Sequence, residues 1–146
     1  MAKPKYRSKF EQKIANYLDK IGIRYQYEPF SVPYEQPVRR YRCAACGTKA
    51  IVKERSYTPD FVLPDETWIE AKGRLTGADR VKMVAVKEAY PDQKICFLFM
   101  QDNYTTKNKT LRYTEWALKN GFPCAVSATG KVPADWLYPE EGDKHD

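Results

Sequence analysis

The chain has 146 residues, of which 42% are hydrophobic and 14% aromatic, enough apolar material for the core of one ordinary domain. Its formal net charge of +6, from 25 lysines and arginines, favours a polyanionic partner, although a basic protein that is merely soluble has the same balance. No run of 18 apolar residues occurs, and MAKPKYRSKF has no apolar core like that of a signal peptide, so we expect a cytoplasmic protein that does not enter a membrane. In that compartment the four cysteines are expected as thiols or metal ligands rather than disulfides.

The N-terminal part of the chain predicts a short basic leader followed by an amphipathic helix. Residues Met1–Arg7 carry Lys3, Lys5 and Arg7 and are expected to be mobile. The helix is expected to begin at Ser8 and to end at Gly22. Its apolar residues recur at helical spacing: Phe10, Ile14, Tyr17, Leu18 and Ile21. Ser8 and Glu11 have the spacing of a capping box, in which the glutamate reaches back to the Ser8 amide.

Residues Ile23–Tyr34 predict a strand, because IRYQYEPFSVPY is rich in aromatic and β-branched residues. Pro29 and Pro33 cannot donate to a ladder, which restricts them to an edge strand or to strand ends. Beyond this strand, the extended stretches Val38–Arg42 and Ala50–Glu54 flank a tight turn.

That turn, Cys43–Gly47, has the form of a zinc knuckle, with two thiolates on a turn and a glycine that lets the backbone bend under the metal. A single CxxC is half of a tetrahedral site. Cys96 and Cys124 lie in apolar, strand-like runs and are expected to be buried rather than to bind metal. A zinc site would therefore join Cys43 and Cys46 from two chains, and a reduced pair or a local disulfide remains open.

The region from about residue 36 to 56 is also strongly basic. Its cations are Arg39, Arg40, Arg42, Lys49, Lys53 and Arg55. They predict a phosphate-binding surface, with a solvated charged hairpin as the alternative.

The stretch Tyr57–Gly73 predicts a hairpin that carries the most distinctive charges of the chain. Turn residues at 64–67 separate two extended runs, and residues two apart on a strand point to the same face, so Glu70 and Lys72 lie side by side. Asp60, at the start of the partner strand, can lie across from them. Hard carboxylate oxygens beside an ammonium suit phosphodiester hydrolysis around Mg²⁺, although charges on a solvated hairpin are common.

The remaining residues predict alternating helices and strands. A loop at 73–77 carries Arg74. A helix over Ala78–Tyr90 is expected to turn Val81, Val84, Ala85 and Ala89 inward and Arg80, Lys82 and Lys87 outward. The further elements are a buried strand Lys94–Met100, a polar loop Gln101–Thr110 with Lys107 and Lys109, a helix Leu111–Asn120, a strand Phe122–Ser127, a turn Pro133–Leu137 anchored by Trp136, and an acidic tail Glu140–Asp146. The only histidine, His145, lies in that tail, which argues against histidine chemistry.

Pro59-Asp60 and Glu70-Ala71-Lys72 match the PD…ExK signature of a large nuclease superfamily. The segments SKFEQKIANYLDKIGIRYQYE, VPY and YTPDF…LP…EAKG resemble the endonuclease I family of bacteriophage Holliday-junction resolvases. The resemblance is close from about Ser8 to Gly73 and returns near VPADW. It implies an α/β fold of the restriction-endonuclease-like type, a mixed sheet with flanking helices, in an intertwined homodimer.

The resemblance also implies the site and its metal. Asp60, Glu70 and the helix residue Glu11 would bind Mg²⁺, for which Mn²⁺ can substitute, and Lys72 would complete the catalytic set. In the family, the glutamate of one subunit joins the hairpin of the other, and the spacing of residues shows nothing of that exchange.

We therefore expect one nuclease domain, residues 1–146, that cuts four-way junctions and other branched DNA in the cytoplasm of a bacterial host. The expected DNA-binding residues are Arg39, Arg40, Arg42, Lys49, Lys53, Arg74, Arg80, Lys107 and Lys109. A PD…ExK nuclease with another DNA target and a non-catalytic DNA-binding module are the alternatives.

Overall fold

The computed structural model describes residues 6–45 and 47–138, with the side chain of Ala50 left aside. In chain order, its elements are α1 (Lys9–Lys20), β1 (Gln26–Tyr27), β2 (Val32–Cys43), β3 (Gly47–Tyr57), β4 (Phe61–Val62), β5 (Trp68–Lys72), α2 (Gly77–Ala89), β6 (Ile95–Phe99), α3 (Tyr113–Lys119), β7 (Cys124–Val126) and α4 (Ala134–Leu137). Most of the predicted basic leader and the acidic tail with His145 lie outside the described residues. Within the described part, none of the helices has the length and apolar character needed to cross a membrane.

A mixed five-stranded sheet forms the centre of the molecule, as predicted. The strands lie in the order β1-β4-β5-β6-β7, with antiparallel pairing from β1 to β5 and parallel pairing from β5 to β7. Strand β6 is buried along its whole length, which explains its unbroken apolar sequence. β2 and β3 pair only with each other and form a separate antiparallel hairpin, here called the ribbon.

The two faces of the sheet bury two apolar clusters. Alternate residues of β6, such as Phe97 and Leu98, belong to different clusters because side chains alternate across a strand. One cluster packs under α2 and α3, and the other packs under α1 and α4, where Trp136 is buried as expected. The side chains of Glu70 and Lys72 also lie on the face covered by α2, so this face carries two of the charged residues of the predicted site.

Helix α1 is held tightly against the second face. Ile14 and Leu18 are fully buried. The backbone of Gly130 approaches α1 so closely that a Cβ on it would lie 2.7 Å from the Ile14 nitrogen, and its φ of 81° also favours glycine. This contact fixes the position of the second turn of α1, next to the turn that carries Glu11.

The strand predicted over Ile23–Tyr34 is two elements. Glu28 has a φ of 44° and Pro29 follows it, so the chain turns between β1 and β2. The edge position predicted for this segment is confirmed, because β1 ends the sheet order. The predicted hairpin beyond it is confirmed and is longer than expected, with an irregularity between Pro37 and Arg39.

Helix α2 is present as predicted, but only part of its inward face is predicted correctly, since Ala85 is buried as expected and Val84 packs against the core. Its buried residues are Met83, Ala85 and Val86, whereas Val81 is 50% exposed. Apolar residues occur on several sides of this helix, so its sequence period does not select one face. The true orientation leaves Lys82 half-buried rather than pointing into solvent.

Candidate active site

The predicted pairing of Glu70 and Lys72 is confirmed. Both residues project from β5 to the side covered by α2, and Lys72 Nζ lies 3.4 Å from Glu70 Oε2. Ile69 and Ala71, which alternate with them along β5, face the opposite cluster. Glu70 is only 6% exposed, so its charge is held where water cannot easily reach it.

Lys72 is anchored by a second carboxylate that the sequence analysis did not single out. Asp79 Oδ1 lies 3.1 Å from Lys72 Nζ. The other oxygen of Asp79 accepts a hydrogen bond from the amide of Thr76, and the Thr76 hydroxyl accepts one from the Asp79 amide. This capping box starts α2 and also fixes the direction of the ammonium of Lys72.

Asp60 lies across from β5, as predicted. Its Oδ2 accepts a hydrogen bond of 2.8 Å from the amide of Ala71, between Glu70 and Lys72. The carbonyl of Asp60 accepts a hydrogen bond from the Glu28 amide, which links the site to the end of β1. Asp60 is 9% exposed.

Glu11 reaches the same site from the first turn of α1. Ser8 caps the helix, since its hydroxyl accepts from the Glu11 amide at 3.1 Å. The predicted return contact to the Ser8 amide is wrong: Glu11 Oε1 instead accepts from the Tyr27 hydroxyl at 2.5 Å and from the Arg7 amide at 3.3 Å. The carboxylate is therefore turned away from its own helix and toward the sheet.

One cavity of about 350 Å³ brings these residues together. Glu11, Asp60, Glu70 and Lys72 all border it. The other bordering residues are Arg7, Ser56, Tyr57, Thr58, Ala71 and Lys82. In this chain, Glu11 and the hairpin residues converge within one protomer, and the exchange between subunits implied by the resemblance stays a prediction.

Tyr57 positions the carboxylate of Glu70. It is the last residue of β3 and is 1% exposed, and its hydroxyl donates to Glu70 Oε1 at 2.6 Å. Lys82 Nζ lies 5.3 Å from the centre of the Tyr57 ring. The end of the ribbon is thus built into the cavity wall.

Burial makes this group of charges costly in the absence of a cation. Burial first, and the charge of Glu70 second, raise the pKa of Asp60 to about 9, while the Ala71 amide acts in the opposite direction. Burial also raises the pKa of Glu70, against the effect of Lys72. For Lys72 itself, burial lowers the pKa, but Glu70 and Asp79 outweigh it and the net pKa is raised, so the lysine is protonated at neutral pH.

Comparisons with known proteins show the family of this chain. The family model described as Phage endonuclease I matches residues 1–144. The chain belongs to the phage endonuclease I family. It is 29% identical over 133 residues to the Endonuclease I of Escherichia phage T7, an alignment that covers 90% of this chain and 78% of the relative. It is 31% identical over 140 residues to the Endodeoxyribonuclease 1 of Enterobacteria phage T3, covering 95% of this chain and 77% of that protein.

The acidic residues that border the cavity fit a magnesium ion. Within residues 6–45 and 47–138, no three His, Cys, Asp or Glu side chains form a ready-made cage for a cation. Mg²⁺ does not need one, because it binds one or two carboxylates and takes its other ligands from water and phosphate. Asp60 and Glu70 supply such a pair, and a cation between them would favour their charged forms against the burial that raises both pKa values and against the charge of Glu70, which further raises that of Asp60. Glu11 adds a third carboxylate to the same cavity.

The cations predicted to bind DNA occupy three places. Exposed side chains on the ribbon are Arg39, Arg40, Arg42, Lys49 and Lys53. Arg74 is exposed just after β5, and Lys107 and Lys109 are exposed in the loop before α3. Arg80 is half-buried and donates to the carbonyls of Leu75 and Thr105, so it also holds that loop against α2.

The predicted burial of Cys96 and Cys124 is confirmed only in part. Cys96 is fully buried, as predicted, whereas Cys124 is half-buried and its thiol donates to the carbonyl of Thr114 at 3.6 Å. Cys43 ends β2, in register with Gly47 of β3. Cys46 lies outside the described residues, so the zinc hypothesis stays a prediction.

Three residues that support the site were missed by sequence reasoning. Thr76-x-x-Asp79 is a capping pattern that could have been recognised, and it would have placed a carboxylate beside β5. Tyr27 and Tyr57 offer no comparable signal, because their contacts with Glu11 and Glu70 depend on how separate elements pack.

Proposed function

We propose that this chain is a metal-dependent endodeoxyribonuclease, a hydrolase that resolves four-way (Holliday) junctions and cuts other branched DNA. The observation that carries the proposal is the convergence of Asp60, Glu70, Lys72 and Glu11 on one polar cavity. The family supports a nuclease, and the name of the T3 relative specifies DNA. The net charge of +6 suits a phosphodiester substrate.

The chemistry follows from the roles that these side chains can take. Asp60 and Glu70, with Glu11 beside them, would hold Mg²⁺ or Mn²⁺. When bound, such an ion stabilises the charge that develops at phosphorus and makes water a better nucleophile. Lys72 is fixed by Glu70 and Asp79 and carries a proton at neutral pH, so its role is to stabilise negative charge on the reacting phosphate.

The junction substrate requires two cuts, and we propose that a homodimer supplies them. Two sites at a fixed separation can cut two strands related by symmetry. Selection would depend on the shape and charge of the protein surface rather than on contacts with base edges. The ribbon, with its exposed arginines and lysines, offers such a surface. The proposed place of action is the cytoplasm of a bacterial host cell during DNA recombination.

The direct test compares a labelled four-way junction with a linear duplex of matched sequence, with and without Mg²⁺. The wild type is expected to cut the junction only with the metal, and Glu70→Ala and Lys72→Ala should lose cleavage while they retain binding, since phosphate contacts elsewhere survive. Glu88→Ala, an exposed change on α2, is the control and should cut normally.

Other results would redirect or refute the proposal. Equal cutting of the duplex and the junction would indicate another DNA target. If the wild type binds DNA but does not cut it with any of the divalent ions tested, the chain is a DNA-binding module. Full activity of Glu70→Ala would refute the catalytic assignment.

A further inference from the structure

A second cavity adjoins the active-site cavity. It has a volume of about 490 Å³ and lies between the ribbon and the first turns of α2. Ser56 and Lys82 border both cavities, so the two form one continuous depression. We call the second part the ribbon groove; its lining residues are Tyr34, Gln36, Lys53, Glu54, Arg55, Ser56, Ala78, Asp79 and Lys82.

The cations at the active-site cavity differ in how they are paired. Lys72 forms ion pairs with Glu70 and Asp79. Arg7 forms an ion pair with Glu28, in which Arg7 Nε lies 2.8 Å from Glu28 Oε2. Lys82 forms no ion pair with any residue of the described chain and lies over the Tyr57 ring. Lys82 acts on Glu70 only at a distance, lowering the pKa of that carboxyl, so it can bind a phosphate without first breaking a direct ion pair.

The ribbon groove continues this positive charge away from the site. Lys53 and Arg55 are two residues apart on β3, so they share a face and are about 6.8 Å apart along the strand. Tyr57 comes next on that face and binds Glu70. Two carboxylates also border the groove: Glu54, which is in register with Glu35 of β2, and Asp79, which is paired with Lys72. Neither Lys53 nor Arg55 has an ion-pair partner among the described residues.

We infer that the ribbon groove is a second phosphate-binding subsite, in which Lys82, Lys53 and Arg55 bind the DNA strand next to the scissile phosphate. This inference rests on the proposed nuclease function and adds the path of the substrate strand. Lys82 holds the phosphate nearest the cavity, and Lys53 and Arg55 hold the strand farther along β3. The subsite binds substrate and takes no part in the hydrolysis.

Binding of a labelled four-way junction, measured by anisotropy without divalent ions over a range of salt, tests the subsite. Lys82→Gln should bind more weakly than wild type and should lower the slope of log affinity against log salt by about one unit. Between 50 and 200 mM salt, the wild type should therefore lose about threefold more affinity than the variant. Lys119→Gln makes the same charge change on the exposed end of α3 and should follow the wild type.

A second measurement locates the contact on the DNA. Single phosphates flanking the cleavage point are replaced in turn by uncharged methylphosphonates. One replacement should weaken binding by the wild type and have little further effect on Lys82→Gln, because each change removes the same contact. With Mg²⁺, Lys82→Gln should raise KM and retain kcat, as expected for a contact made equally in the ground and transition states.

Two results for Lys82→Gln would contradict the proposed subsite. The first is a folded variant that cuts DNA and has the same slope of log affinity against log salt as Lys119→Gln. The second is unchanged binding with lost kcat, which would place Lys82 among the catalytic groups. A wild type that neither binds nor cuts DNA would overturn the nuclease function together with the subsite, whereas the first two results leave that function intact.

Discussion

Replacing Asp60 by asparagine is expected to stabilise the fold at neutral pH while it removes cleavage. Asp60 is 9% exposed, and burial, followed by the charge of Glu70, raises its pKa from 3.8 to about 9. Because the folded-state pKa lies above the unfolded-state value, the side chain costs no stability below about pH 4 and costs more as the pH rises toward 9. Asparagine is neutral at every pH, so it removes the cost of protonating this carboxylate on folding, and it can still accept the hydrogen bond from the Ala71 amide.

The magnitude follows from the pH interval. A pH of 7 lies roughly three units above the ordinary pKa of an aspartate, so keeping Asp60 protonated in the folded protein costs at most about 4 kcal/mol of stability. The amide that asparagine buries offsets about 1–3 kcal/mol of this. We expect a net gain of about 2 kcal/mol, which raises Tm by about 6 °C in a chain of this length.

Thermal unfolding of wild type and Asp60→Asn at pH 4.5 and pH 7.5 measures the effect. The variant should be more stable at pH 7.5, and the difference should shrink at pH 4.5, whereas the exposed control Asp92→Asn should show no such change. Added Mg²⁺ should raise the Tm of the wild type and not that of Asp60→Asn, since only the wild type retains both carboxylates for the ion. A difference in Tm that is the same at both pH values, or a less stable variant at pH 7.5, would refute the reasoning.

Three further predictions concern the supporting residues and the cysteines. Tyr57→Phe removes the hydrogen bond to Glu70 and should raise the Mg²⁺ concentration needed for cleavage about 10–100-fold, with Tyr90→Phe, which loses a bond to the Pro33 carbonyl, as the control that should not. Glu11→Gln should retain α1 and lose most activity, and co-folding it with Glu70→Ala should restore cutting only if the site is shared between subunits. If Cys43 and Cys46 of two protomers bind one ion, elemental analysis should find about half an equivalent of zinc per chain. Cys43→Ser should then lower Tm and leave the nuclease chemistry unchanged. Zinc-free protein, or one equivalent of zinc per chain, would contradict the shared site.

The parts of the site that sequence could predict depend on local periodicity. Glu70 and Lys72 share a face because they are two residues apart on a strand, and the turn residues before Trp68 place Asp60 on the partner strand. The fully apolar run of β6 likewise predicted a buried central strand. Each inference uses only neighbours along the chain.

The parts that sequence did not predict depend on packing between distant segments. Lys82 was assigned to the solvent face, because α2 carries apolar residues on several sides and its period alone does not choose among them. Glu11 was expected to complete a cap, yet the Tyr27 hydroxyl competes for the same oxygen. No spacing rule relates positions 11 and 27.

Each of the three carboxylates is held by a donor from a different element. Tyr27 at the end of β1 binds Glu11, the amide of Ala71 in β5 binds Asp60, and Tyr57 at the end of β3 binds Glu70. β3 therefore connects two parts of the proposed site, because the strand that carries Lys53 and Arg55 ends at Tyr57, which fixes a proposed metal ligand. Since side chains alternate along a strand, a register shift of one residue in the ribbon would turn those cations away from the groove and Tyr57 away from Glu70 together. The pairing of β2 with β3 thus sets both the position of the proposed substrate path and the geometry of the carboxylate proposed to be catalytic.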